Sequence, residues 1–160
     1  MNTIWTFAGI TTLLAISSGG SAQSERSLVG TWKLVSASSS ADKAVFGRNP
    51  TGFLTYTPDG HMSALVAYDE RKLLSNSDIS SVPSEEKAQA FSTFIAYAGR
   101  YTVTGHQVIH HVEVASIQNW VNTDLTREVT FEGSRIILRT PPMTSNGVLQ
   151  TFELVWERVK

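Results

Sequence analysis

Residues 105–131, GHQVIHHVEVASIQNWVNTDLTREVTF, carry the feature that most constrains the fold, because apolar and polar residues alternate in two runs separated by a loop. Alternate residues of a β-strand share one face. The more apolar faces carry Val108, His110, Val112 and Val114 in the first run and Leu125, Arg127, Val129 and Phe131 in the second. If these faces point inward, His110 and Arg127 lie in an apolar interior. Buried ionisable groups need polar partners, and the polar end of a ligand is one such partner.

Similar alternating runs, separated by turn signals, recur along the chain. The clearest pair, TGFLTYT and HMSALVAY, flanks the tight-turn sequence Pro-Asp-Gly at 58–60. Further runs lie at 28–38, 101–104, 135–140 and 148–159. Together these runs predict eight sequential antiparallel strands, without βαβ alternation or an internal repeat. Closing them into an up-and-down barrel removes the sheet edges, so we predict an all-β, eight-stranded antiparallel barrel with room for side chains or one small ligand.

Residues 84–98 change period and predict the single helix of the chain. Ser84 can cap its start, and Gly99 can end it. Apolar residues recur at helical spacing, namely Ala88, Phe91, Phe94, Ile95 and Ala98. We expect this helix to pack on the barrel or to cap an open end, with Tyr97, Arg100 and Tyr101 near its junction with the next strand.

Residues 1–22 have the composition of a cleaved secretory signal peptide. An apolar run, IWTFAGITTLLAI, is followed by small residues, and Gly-Ser-Ala at 20–22 fits the small-x-small cleavage rule. No Lys or Arg precedes the run, so an uncleaved anchor or a mistranslated start is the alternative. The run is shorter than the roughly 20 residues that a membrane span needs. We therefore predict a mature barrel domain of residues 23–160, secreted or periplasmic, with no stable membrane insertion after cleavage.

Composition excludes several functional classes. The 160 residues suit one domain, and the net charge of −1 without a basic stripe argues against a nucleic-acid partner. The absence of cysteine excludes disulfides, thiolate nucleophiles and Cys-based metal sites. No P-loop, Rossmann or H-E-x-x-H motif occurs, so we expect no cofactor. The sequence does not indicate an oligomeric state.

Short motifs connect the chain to a known family. Gly-Thr-Trp at 30–32 resembles the G-x-W signature of lipocalins and the wider calycin barrels. The runs GTWKLVS, GFLTYTPDGHMSA, YAGRYTV, HHVEVA followed by NW, RTPP and LVWERV resemble the bacterial and fungal lipocalin-like domain family in order and spacing. This resemblance covers about residues 28–159 and implies a calycin-type barrel with an internal cavity. It implies little about the ligand or about a reaction.

The candidate site combines the two inward ionisable residues with aromatic ones. His110 and Arg127 are candidates for binding, or for catalysis, at the polar end of an otherwise apolar ligand. The further candidates for ligand binding are Tyr56, Tyr68, Tyr101 and Trp120. The structural alternative is a buried hydrogen-bond network, or Arg127 stacked on Trp32 as an arginine does in many lipocalins. Trp32 and Trp156 are expected to be structural.

A metal site has weaker support. His111 and Glu113 share a face two residues apart, about 7 Å at the rise of a strand. That face is the more polar one, and the sequence shows no third ligand. We therefore predict no metal site. A haem-binding barrel with His110 or His111 as axial ligand remains a minor alternative.

The best functional interpretation is an exported lipocalin-like protein that binds a small, mostly apolar or amphipathic molecule in its cavity. The alternative is a small-molecule isomerase or cyclase, in which His110 acts as general acid or base and Arg127 stabilises an enolate-like charge. That alternative requires His110 to face the empty volume. A purely structural or interaction module would instead have a dry, packed interior and an exposed apolar patch.

Overall fold

The computed structural model describes residues 28–160, which contain ten strands and one α-helix, α1. The barrel strands are β1 (Gly30–Ser39), β2 (Thr51–Tyr56), β3 (His61–Ala67), β4 (Phe94–Thr104), β5 (Gln107–Ala115), β6 (Asp124–Glu132), β7 (Arg135–Arg139) and β10 (Phe152–Arg158). A separate hairpin consists of β8 (Met143–Ser145) and β9 (Val148–Gln150), and α1 spans Ser84–Ser92. Residues 1–22 lie outside the described residues, so the signal peptide stays a prediction. No helix in the described range is long and apolar enough to cross a membrane.

The eight barrel strands form a closed antiparallel meander in which each strand pairs with the next along the chain. The circuit closes where β10 pairs with β1. This arrangement confirms the predicted all-β barrel. Since every second connection lies at the same end of such a meander, the loops after β1, β3, β5 and β7 meet at one end of the barrel. We call this the loop end, and the opposite end the base.

The predicted inward faces of β5 and β6 are mostly correct. Val108, His110 and Val112 are buried. Val114, however, is 62% exposed. The register between β4 and β5 shifts between Ala98 and Gly99, and the bulge turns the following side chains to the other face. On β6, Phe131 is exposed as well, because it lies beside the turn into β7.

The predicted extent of the helix is wrong. The helix ends at Ser92, and Phe94 begins strand β4, which pairs with β3 from Ala67↔Phe94 to His61↔Arg100. Pairing along the length of β3 outweighs the helical spacing of the sequence. None of the residues of α1 is buried, and Phe91 is more than half exposed. The apolar face expected to cover the barrel is therefore divided between an exposed helix and a barrel strand.

The last predicted strand also differs from the structure. The alternation at 148–159 predicts one continuous strand. The structure instead pairs Val148–Gln150 with Met143–Ser145 in the β8–β9 hairpin, and only Phe152–Arg158 joins the barrel. Asn146 and Gly147, both with positive φ, form the turn of this hairpin. A two-stranded insertion therefore projects from the loop end.

The base of the barrel is closed by Trp32 and Arg158. The guanidinium of Arg158 lies 4.1 Å from the centre of the Trp32 ring, and its Nη1 donates to the carbonyl of Val29 at 2.7 Å. The indole N–H of Trp32 donates to the carbonyl of Leu28 at 2.8 Å. The arginine that stacks on Trp32 is thus Arg158, and Arg127 is free for another role.

Gly30 is the residue on which this closure depends. Its φ is +137°, and a Cβ at this position would lie 2.5 Å from Nη1 of Arg158. We expect Gly30→Ala to lower the free energy of unfolding by about 2 kcal/mol, from backbone strain and displacement of Arg158. Urea unfolding measures this change. Gly133→Ala is the matched control, because its φ is also positive but no atom lies within 4 Å; an equal loss in both variants would rule out a contribution from Arg158.

Candidate functional site

A cavity of about 390 Å³ lies inside the barrel, within the range of small-molecule sites. Strands β2, β3, β4, β6, β7 and β10 form its wall, mainly with apolar side chains. Residues of the four connections at the loop end also line it, including Phe46, Trp120 and the β8 residues of the hairpin. The cavity therefore extends from the wall of the barrel to the loop end.

Arg127 brings a positive charge to this apolar wall. It lies on β6 opposite Val108 of β5 and lines the cavity. Its Nη1 donates to the carbonyl of Thr126 at 2.8 Å. No carboxylate of residues 28–160 lies within 4.0 Å of its guanidinium nitrogens. A cation in an apolar wall without an ion-pair partner favours an anionic or strongly polar oxygen as its contact.

Tyr97 is the second polar group of the wall. Its hydroxyl is hydrogen-bonded to His110, which does not line the cavity. The Tyr97 hydroxyl lies 3.0 Å from Nδ1 of His110, while the Tyr56 hydroxyl lies 2.7 Å from Nε2. A neutral imidazole carries one N–H, so one tyrosine donates to the ring and the other accepts from it. The inward faces of β2, β4 and β5 thus place Tyr56, Tyr97 and His110 in one hydrogen-bonded chain.

The electrostatics of this chain keep its members neutral. Burial lowers the pKa of His110 to about 3, assisted by the charges of Arg127 and His111. Burial raises the pKa of Tyr97, although Arg127 opposes this shift. Burial also raises the pKa of Tyr56 well above its ordinary value. At neutral pH the cavity therefore presents one charge, that of Arg127, beside a neutral phenol.

The predicted site residues fall into two groups. Arg127, Tyr68 and Trp120 line the cavity, together with Tyr97. The second group, which does not line it, consists of His110, Tyr56 and Tyr101. His110 is fully buried, and Tyr101 donates to the carbonyl of Thr57 at 3.0 Å while its ring packs edge-on against Tyr56. The second group supports the wall rather than forming it.

Tyr97 was missed as a wall residue because the predicted helix ran through it. Extending the alternation of Tyr101 and Val103 back along the chain would have placed Tyr97 on the inward face. Its ring also packs edge-on against Trp120, with 5.8 Å between the ring centres. Trp120 therefore packs against the ring of Tyr97 at the loop end of the cavity.

His111 and Glu113 are not brought together on the outer surface. His111 lies 2.7 Å from Asp124 through Nδ1 and 3.0 Å from the Thr102 hydroxyl through Nε2, whereas Glu113 pairs with Arg100 at 3.7 Å. Among residues 28–160, no three His, Asp or Glu side chains are placed to hold a metal ion. These contacts join neighbouring strands on the outside of the barrel.

Comparison with known proteins agrees with this architecture. The family model described as a lipocalin-like domain matches residues 29–159. A curated relative is the 4'-hydroxy-3'-methoxypropiophenone carrier protein ppsC of Aspergillus oryzae, 34% identical over 84 residues, which are 47% of this chain and 76% of that protein. The match confirms the resemblance seen in the sequence motifs. With its closed eight-stranded barrel and internal cavity, the chain belongs to the lipocalin-like domain family.

Proposed function

We propose that this protein is a carrier that binds a small, mostly apolar molecule bearing an acidic or strongly polar oxygen. The observation that carries the proposal is the cavity of about 390 Å³, whose apolar wall contains Arg127 with no carboxylate of residues 28–160 as its partner. Apolar atoms of the ligand gain from leaving water, and its polar oxygen accepts from Arg127 and exchanges a hydrogen bond with Tyr97. A dry structural module does not fit, because the interior is open.

The relative supplies a concrete ligand class. Its name describes it as a carrier of 4'-hydroxy-3'-methoxypropiophenone, which is a phenolic aryl ketone. Such a molecule has a flat apolar body and oxygens at both ends, which suits an aromatic-lined cavity with one cation. We therefore take phenolic aryl ketones, with the phenol oxygen at Arg127, as the first class to test on this protein.

Export is part of the proposal. It rests on the predicted signal peptide at 1–22 and its cleavage after Ala22. A secreted or periplasmic carrier would bind its ligand outside the cytoplasm. Mass spectrometry of the protein secreted by its own host tests this point, since cleavage predicts Gln23 as the first residue, whereas an intact Met1 would contradict it.

The isomerase or cyclase alternative has less support from the geometry. Both ring nitrogens of His110 are occupied by tyrosine hydroxyls, and His110 does not line the cavity. A substrate could exchange a proton with it only through Tyr97. Exchange of the ketone α-protons with D₂O that requires both Tyr97 and His110 would favour the enzyme over the carrier.

Arg127→Gln tests the proposed polar contact. We expect the purified protein to bind 4'-hydroxy-3'-methoxypropiophenone saturably, followed by the fluorescence of Trp120 and Trp156, which line the cavity. Loss of a charge-assisted hydrogen bond should weaken binding about thirtyfold in Arg127→Gln.

The matched control is Arg100→Gln. Arg100 is also on a barrel strand, but its side chain is exposed and pairs with Glu113 outside the barrel. Its substitution should leave the affinity unchanged. If the wild-type protein binds no phenolic aryl ketone, or if both variants lose affinity equally, the proposed contact is wrong.

A further inference from the structure

The indole N–H of Trp156 is a buried donor without an acceptor. Trp156 is 2% exposed, and its Nε1 is the one buried side-chain nitrogen or oxygen of residues 28–160 that has no hydrogen-bond partner. Trp32, the other large indole of the core, is satisfied by the carbonyl of Leu28. Since nearly all buried polar groups in folded proteins are paired, this exception requires an explanation.

The surroundings of Trp156 restrict where an acceptor can come from. Its neighbours across the sheet are Leu34 on β1 and Ile136 on β7, and both have apolar side chains. Trp156 itself lines the cavity. An acceptor for its N–H is therefore most readily supplied by a molecule in the cavity.

Trp156 and Arg127 line the same cavity from different strands, β10 and β6, which are separated in the sheet by β7. Their side chains can therefore contact different atoms of one bound molecule.

We propose that Trp156 is a second polar contact of the ligand site and donates its indole N–H to a neutral acceptor oxygen of the bound molecule. This inference rests on the proposed carrier function and specifies its ligand class. The ligand has two separated oxygen functions, an acidic one held by Arg127 and a neutral carbonyl or ether held by Trp156. A phenolic aryl ketone meets this requirement, with its phenol at Arg127 and its ketone at Trp156.

A pair of ligands and two variants test the assignment. The probes are 4'-hydroxy-3'-methoxypropiophenone and the analogue in which the ketone carbonyl is a CH₂ group, titrated by calorimetry. The wild-type protein should bind the ketone about tenfold more tightly than the analogue, because the analogue leaves the indole N–H without an acceptor. Trp156→Phe removes the N–H but keeps an aromatic ring, and it should reduce this preference to what the more acidic phenol of the ketone gains at Arg127. Arg127→Gln should weaken both probes and keep the preference.

The outcomes separate this inference from the proposed function. If neither probe binds to the wild-type protein, both ideas fail. If both probes bind but Trp156→Phe keeps the tenfold preference, the carrier function stands and the role of Trp156 is wrong. If the wild-type protein binds both probes equally, as it would if a buried water satisfied the indole, the role of Trp156 is likewise wrong.

A second readout does not depend on the folding of the variant. In ¹H–¹⁵N spectra of the wild-type protein, the ketone should move the indole resonance of Trp156 downfield, while the analogue should not. The indole resonance of Trp32, whose N–H is already bonded, is the internal reference and should stay in place. Equal shifts of the Trp156 resonance with both probes would overturn the proposal.

Discussion

Replacing His110 with Phe should lower the free energy of unfolding at pH 7 by about 3 kcal/mol. The new ring roughly fills the space of the imidazole but leaves the hydroxyl of Tyr56 buried without a partner. Tyr56 is 1% exposed, so no solvent replaces the lost hydrogen bond of 2.7 Å. An orphaned buried polar group costs about 1–3 kcal/mol, and the weakened hold on Tyr97 adds to this. Urea unfolding at pH 7 measures the change.

A double-mutant cycle with Tyr56→Phe shows whether the hydrogen bond is responsible. Tyr56→Phe alone leaves Nε2 of His110 unmet and should also destabilise the fold. The double variant, with an apolar pair in place of a polar one, should lose clearly less than the sum of the single changes, because neither ring then carries an orphaned group. Strict additivity would show that packing, and not the hydrogen bond, accounts for the effect of His110→Phe.

The barrel could be predicted from the sequence because its strands carry the period-two alternation on their own. The hairpin at 51–68 and the two runs in 105–131 show it without help from tertiary contacts. The end of α1 could not be predicted in this way. Phe94 and Ile95 fit both the helical spacing and a strand, and only their pairing with Ala67 and Val66 on β3 decides between them.

The inward position of His110 was also predicted correctly from alternation, but its place relative to the cavity was not. Alternation tells which face a side chain occupies, whereas depth along the barrel and the neighbours on other strands depend on register. The register places Tyr101 opposite His110 on β4. The hydroxyls that reach the imidazole nevertheless belong to Tyr97, which lines the cavity, and to Tyr56 on β2. For the same reason Trp156, expected to be structural, has an unmet N–H that no local pattern reveals.

Arg127 and His110 differ in charge for an electrostatic reason. Both were candidates for the polar end of the ligand, but two positive charges in the same apolar interior would repel each other. The charge of Arg127 helps to keep His110 unprotonated. The histidine can therefore serve as a neutral support that accepts from one tyrosine and donates to the other, while the guanidinium supplies the charge.

The neutral His110 should make the protein sensitive to acid. Its pKa is about 3 in the folded protein and 6.5 in the unfolded chain. Below pH 6.5 the unfolded chain therefore binds a proton that the folded protein does not bind, so stability falls as the pH falls. The slope is about 1.4 kcal/mol per pH unit, which amounts to about 3 kcal/mol between pH 6.5 and pH 4. The loss should level off below pH 3, where both states are protonated.

Comparison with His110→Phe isolates this contribution. The variant keeps the carboxylates of the wild-type chain, and burial raises the pKa of Tyr56 and of Tyr97, so neither phenol changes protonation between pH 4 and 6.5. Urea unfolding across this range should give the variant a shallower dependence on pH, so that the stability gap of about 3 kcal/mol at pH 7 closes near pH 4. Parallel curves for the two proteins would show that His110 can take up a proton inside the folded barrel and that its neutrality is not enforced by burial.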